Sequence, residues 1–94
     1  MAIAVSGTIP GGSAQMDQQM MDQIGVSAGS PPAGGLARMA GSTSDGYRVM
    51  SIWESEEAWD AFKRDKLEPF FKQAGRPAPT FEIWQLDTFF TASR

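Results

Sequence analysis

Neither cysteine nor histidine occurs in this chain. Without cysteine there are no disulfides, no thiolate nucleophile and no cysteine-held metal. Without histidine the usual general base, the usual metal ligand and every Ser-His or Cys-His nucleophile pair are excluded too. Carboxylates alone remain for a metal, and the 11 Asp and Glu residues form no cluster of suitable spacing. Basic residues are also few: 8 Lys and Arg against a net charge of −3. Only Lys63, Arg64 and Lys66 lie close together, among Asp60, Asp65 and Glu68, so they read as a solvated helix face. The basic footprint of a nucleic-acid-binding protein is missing. No apolar run approaches the roughly 20 residues that span a bilayer. Met1-Ala2-Ile3-Ala4-Val5 lacks the basic start of a signal peptide. The expectation is a cytoplasmic protein with neither nucleic-acid nor membrane partners.

What is present is an ordinary globular composition, 41% apolar and 20% charged over 94 residues. Residues 1–94 are expected to form one domain. A chain of this size buries only about 60–65% of its unfolded surface, so the core is small. Its 3 Trp and 6 Phe must supply much of it.

Ala2 to Ile9 reads as a first strand, with Ile3, Val5 and Ile9 on one face, ended by Pro10-Gly11-Gly12. Ser13 caps a helix running to Ile24, and Gly25 stops it. Met16, Met20 and Ile24 recur on one side of that helix, while Asp17, Gln18, Asp22 and Gln23 are assigned to water. Gly25 to Gly35 is a glycine- and proline-rich loop. Leu36 to Gly41 forms a second strand, joined through the Asp45-Gly46 turn to a third, Tyr47 to Trp53. Ser55 caps a second helix carrying Ala58, Trp59 and Phe62. Pro69 is expected to interrupt it, leaving a short extra helix that ends at Gly75. Phe81 to Phe89 is the last strand and Thr91 to Arg94 a tail. The order β-α-β-β-α-β predicts the α+β, ferredoxin-like arrangement: a four-stranded antiparallel sheet with helices on one face.

On the third strand Val49, Ser51 and Trp53 point one way, Met50 and Ile52 the other. Both faces need cover, and helices on one side shield only one of them. An exposed apolar patch of several hundred Å² is rare on monomers, so a homodimer packed sheet to sheet is expected.

The order of elements, the Trp53-Glu54-Ser55-Glu56-Glu57-Ala58-Trp59 junction and the aromatic last strand resemble the dimeric α/β-barrel superfamily. Within it, the chain is most similar to the small antibiotic-biosynthesis-monooxygenase-like proteins. The resemblance implies a pocket in each subunit between sheet and helices. It implies no cofactor, and a hydrophobic, polyketide-like small molecule as ligand. Two activities fit: a monooxygenase in which the substrate's own carbanion reduces O₂, and a cyclase that folds a flexible chain.

With the hairpin centred on Asp45-Gly46, Arg38 and Ala40 share the face of Ser51 and Trp53. Arg38 is the candidate to hold an enolate, phenolate or carboxylate; the alternative is a structural salt bridge to Glu82, Asp87 or an acid of a second copy. Glu82 and Asp87 are the acids of the last strand and the candidate proton acceptors. Ala40 and Ser51 leave room, and Met16 and Met20 make an adaptable wall. The resemblance places Trp53 at the pocket. Trp59 and Phe62 read as core or as pocket wall. Trp84 closes either the pocket or the barrel. Val49 stands where several of the aromatic-polyketide monooxygenases carry asparagine, and Trp59 where they carry tyrosine. The frame is kept and the known catalytic sets are not, which leaves a non-catalytic dimeric ligand binder or accessory protein as the alternative.

Overall fold

The computed structural model describes residues 1–91, so the end of the expected tail lies outside the described residues. The elements run β1 (Ile3–Ile9), α1 (Ala14–Ile24), β2 (Gly35–Thr43), β3 (Gly46–Trp53), α2 (Glu56–Phe62), a π-helical stretch (Lys63–Leu67), α3 (Glu68–Gln73) and β4 (Phe81–Gln85). The sheet order is β2-β3-β1-β4 with every neighbour antiparallel. This is the ferredoxin-like βαββαβ arrangement.

Both helix starts follow from their capping serines. The Ser13 hydroxyl accepts from the Met16 N–H at 3.2 Å, and that of Ser55 from the Ala58 N–H at 3.1 Å. Each satisfies one of the orphan donors of a first turn. Gly25 ends α1 in the left-handed region at φ 75°, a conformation other residues adopt at a cost.

The second helix differs from expectation. Pro69 does not break it. The Glu68 N–H reaches back to the Lys63 carbonyl, and the wider π turn carries the chain into α3 with Pro69 at its start. There a missing N–H costs nothing. The helical path is continuous from Glu56 to Gln73, with the expected short extra helix as its last segment, and it turns Trp59, Leu67 and Phe71 into the core.

The hairpin is also displaced. Thr43 pairs with Gly46, so Ser44-Asp45 forms the turn and Gly46 opens β3. Gly46 is needed there for a different reason: a Cβ on it would meet the Ile9 carbonyl oxygen at 2.7 Å. β2 is longer than expected, with a bulge between Gly35 and Ala37. β4 is shorter, because Gln85 already pairs with Ile3, the first residue of β1.

The register sorts the strands into two faces. Ile3, Val5, Ser51, Trp53, Arg38, Ala40 and Phe81 look toward the helices. The core there comprises Ile3, Val5, Met20, Trp53, Trp59, Leu67 and Phe71. Ala37, Met39, Met50, Ile52 and Trp84 occupy the opposite face, with Arg48 and Glu82 among them. Met39 is 52% and Trp84 38% exposed, so this second face is apolar and open in the single chain.

Candidate functional site

Between the sheet and the helices lies a cavity of about 630 Å³, within the range of small-molecule sites. Its floor is the helix-facing side of β1 and β3: Val5, Val49, Ser51 and Trp53. One wall is α1, through Met20, Met21 and Ile24. The opposite end is aromatic, with Trp53 and Phe62 centroids 5.0 Å apart and Trp59 edge-on to Phe81 at 4.9 Å. The connection after α1 contributes Val26, Ser27, Ala28, Pro31 and Pro32, so the glycine- and proline-rich loop forms part of the site's boundary.

Polar groups on this apolar wall are few. The Trp53 indole N–H donates to the Ser51 hydroxyl at 2.8 Å. That bond occupies an acceptor position of Ser51 and leaves its own proton free to donate. Arg38 and Asp17 meet at the cavity edge as a fork. Nη2 lies 2.6 Å from Oδ1 and Nη1 3.0 Å from Oδ2, with the side chains 29% and 10% exposed. Arg38 and Asp17 are the only charged residues on the cavity wall among the described residues. Trp59 Nε1 is buried with no partner among the described residues, a state that costs about 1–3 kcal/mol.

Of the residues anticipated from sequence, the structure brings Met20, Arg38, Ala40, Val49, Ser51, Trp53, Trp59 and Phe62 together on this cavity. Four others stand elsewhere. Glu82 pairs with Ser6 and Trp84 with Ala4, which turns both onto the open face. Asp87 lies beyond the last paired residue of β4. Met16 sits on the flank of α1 and lines an adjoining cleft of about 440 Å³ against α3, which shares Asp17 and Met20 with the first and where an Arg76 Nη1 approaches the Met16 sulfur at 3.9 Å.

Asp17 is the residue that sequence reasoning assigned to solvent. The inward stripe of α1 is Asp17, Met20, Met21 and Ile24, at i, i+3, i+4 and i+7. Centring the stripe on Met16 rotated it by part of a turn. Arg38 accordingly takes its partner from α1, not from Glu82 or Asp87. Elsewhere, a hydrogen bond from Arg64 holds the Asp65 carboxyl below the usual carboxylate range. That pair is exposed and lines neither cavity. Among the described residues no group of three or more acidic side chains is arranged to hold a metal ion.

No family model matches the chain, and no curated protein matches it in sequence. Solved structures do. One is a protein provisionally named an antibiotic biosynthesis monooxygenase, from Chloroflexus aurantiacus. It has a TM-score of 0.63 at 16% identity over 97% of this chain and 98% of its own. A second is the ActVA-Orf6 monooxygenase of Streptomyces coelicolor, bound to nanaomycin D, at TM-score 0.58 and 17% identity over 98% and 92%. A third is SnoaB, a cofactor-independent oxygenase of Streptomyces nogalater, at 0.56 and 12% over 97% and 96%. The chain has the fold of the antibiotic-biosynthesis-monooxygenase-like proteins. The likeness spans essentially the full length on both sides, so no large insertion separates the frames. No helix among the described residues is long and apolar enough to cross a membrane.

Proposed function

We propose that the protein is a small cofactor-independent tailoring enzyme. Its substrate is a hydrophobic, polyketide-like molecule held between sheet and helices. The observation that carries this reading is the apolar cavity of about 630 Å³ with a single forked ion pair at its edge. Structural neighbours named as monooxygenases and oxygenases support it.

In the oxygenase form, a methylene activated by a neighbouring carbonyl loses a proton. The resulting carbanion passes an electron to O₂, the two radicals join as a peroxide, and loss of water leaves a carbonyl. The balance is one CH₂ and one O₂ giving one C=O and one H₂O. Asp17 replaces Glu82 and Asp87 as the proton acceptor, since it alone among the acids lines the cavity. Once it takes the proton, Arg38 faces the new enolate without a competing carboxylate, which places positive charge where negative charge develops. Trp53, Trp59 and Phe62 hold the rings. In the cyclase form the same walls fold a flexible chain, and the gain is proximity.

The test is oxygen uptake with an anthrone, a tricyclic ketone with one activated methylene. The protein should consume one O₂ per quinone formed, and Arg38→Ala should lower kcat/KM by about 10²-fold or more while the fold is retained. Absence of turnover across anthrones and poly-β-ketone mimics would count against the enzyme. Val49 favours a second reading, a non-catalytic binder, because it puts a methyl pair on the floor where a polar side chain would orient substrate. Either form is proposed to act as a homodimer closed through the open sheet face.

A further inference from the structure

We infer that the cavity selects electrically neutral, oxygen-bearing aromatic ligands and rejects carboxylates, and that Asp17 is the residue that sets this preference. The inference rests on the reading of the cavity as a small-molecule site, but not on turnover.

Arg38 alone would make the cavity an anion site. Its guanidinium is planar and two-pronged, the shape that matches a carboxylate. Here Asp17 already occupies that fork, with both carboxylate oxygens engaged by the two terminal nitrogens. The charges on the wall therefore cancel. Asp17 is the more buried of the two, at 10% exposure against 29%, so its charge stands closer to the apolar interior than a surface acid would.

A ligand carboxylate entering this space loses its hydration and finds no unpaired cation on the wall among the described residues. Burial of a charge without a partner is strongly unfavourable, and the like charge of Asp17 adds to the penalty. A ketone, quinone or phenol needs less. One donor satisfies its oxygen, and donors remain: the Ser51 hydroxyl proton, free because the Trp53 N–H fills an acceptor position, and the Arg38 N–H groups not used on Asp17. Ser51 and Arg38 are register partners on adjacent strands, so both side chains leave the sheet on the cavity face. The pair thus admits a neutral molecule and keeps its positive charge in reserve for an anion formed inside.

The experiment compares two probes of one shape by calorimetry at pH 7, 1-naphthol and 1-naphthoate. The first is neutral there and the second charged. The wild-type protein is expected to bind 1-naphthol about tenfold or more tightly than 1-naphthoate. Asp17→Asn keeps the shape and frees Arg38, and should shift that ratio by about tenfold or more toward 1-naphthoate. Arg38→Gln is the reciprocal variant and carries the test alone if Asp17→Asn does not fold. It leaves Asp17 unpaired, and should raise affinity for 1-naphthylmethylammonium by about tenfold or more. Equal wild-type affinities, a ratio unmoved by Asp17→Asn, an Arg38→Gln variant indifferent to the amine, or no binding of either wild-type probe would each overturn the inference. Neutral selectivity without turnover of anthrones or poly-β-ketone mimics would uphold it and remove the tailoring enzyme.

Discussion

The Ser51 hydroxyl is small and buried, and it holds the Trp53 indole at 2.8 Å across one face of β3. Ser51→Ala strands that N–H in an apolar wall. Loss of about 1–3 kcal/mol is expected from urea unfolding. The same substitution in a Trp53→Phe background should cost clearly less, because no donor is then left behind. The positions of Ser51, Trp53, Arg38 and Ala40 were legible in the sequence, because alternation along a strand survives a two-residue error in the turn. Asp17 was not. A helix stripe of 17, 20, 21 and 24 and one of 16, 20 and 24 share most members, and an aspartate on an apolar face is assigned to water until its cation is known. Glu82 was misplaced for the opposite reason: parity alone gives two faces, and only pairing with β1 says which is which; the same pairing puts Trp84 on the open face, one of the two places left open for it.

At the scale of elements, the caps were plain to read. Ser13, Gly25 and Ser55 act through neighbours a few residues away, so local chemistry decides them. Pro69 was not, because its effect depends on which carbonyl the preceding turn uses, and a π turn at Lys63–Leu67 absorbs it. The end of β4 depended on where β1 begins, a fact about another segment. The loop between α1 and β2 is tied at its far end to the junction that leads into the second helix. The Gly34 carbonyl accepts from the Glu54 N–H at 2.9 Å, its φ is +79°, and a Cβ there would lie 2.5 Å from that of Ala58. Gly34→Ala is therefore expected to destabilise by about 1–3 kcal/mol. It should also weaken 1-naphthol binding, since loop and junction both border the cavity. Thermal unfolding and calorimetry on the same sample check the two effects together.

For the whole molecule the decisive feature is the uncovered side of the sheet. Met39, Met50, Ile52 and Trp84 form an apolar field with Arg48 and Glu82 within it. Shielding by a second copy is the simplest arrangement for such a face. Sedimentation at micromolar concentration is expected to give twice the 10.2 kDa chain mass, and Ile52→Asp to return the single chain with the cavity intact. A wild-type protein sedimenting as one chain would end the dimer proposal. The layer order was readable from the β-α-β-β-α-β succession, and the need for cover from side chains of both faces. What covers the sheet is a property of two molecules.

The boundary supplied by residues 26–32 makes ligand choice a matter of a replaceable part. The sheet, the capped helices and the aromatic end owe little to that segment's side chains, so its length and composition are open to exchange. Doubling such a connector costs only about 0.6 kcal/mol in closure entropy. Grafting connectors of other shapes between Gly25 and Gly34 should thus retune which molecules enter while leaving the scaffold standing.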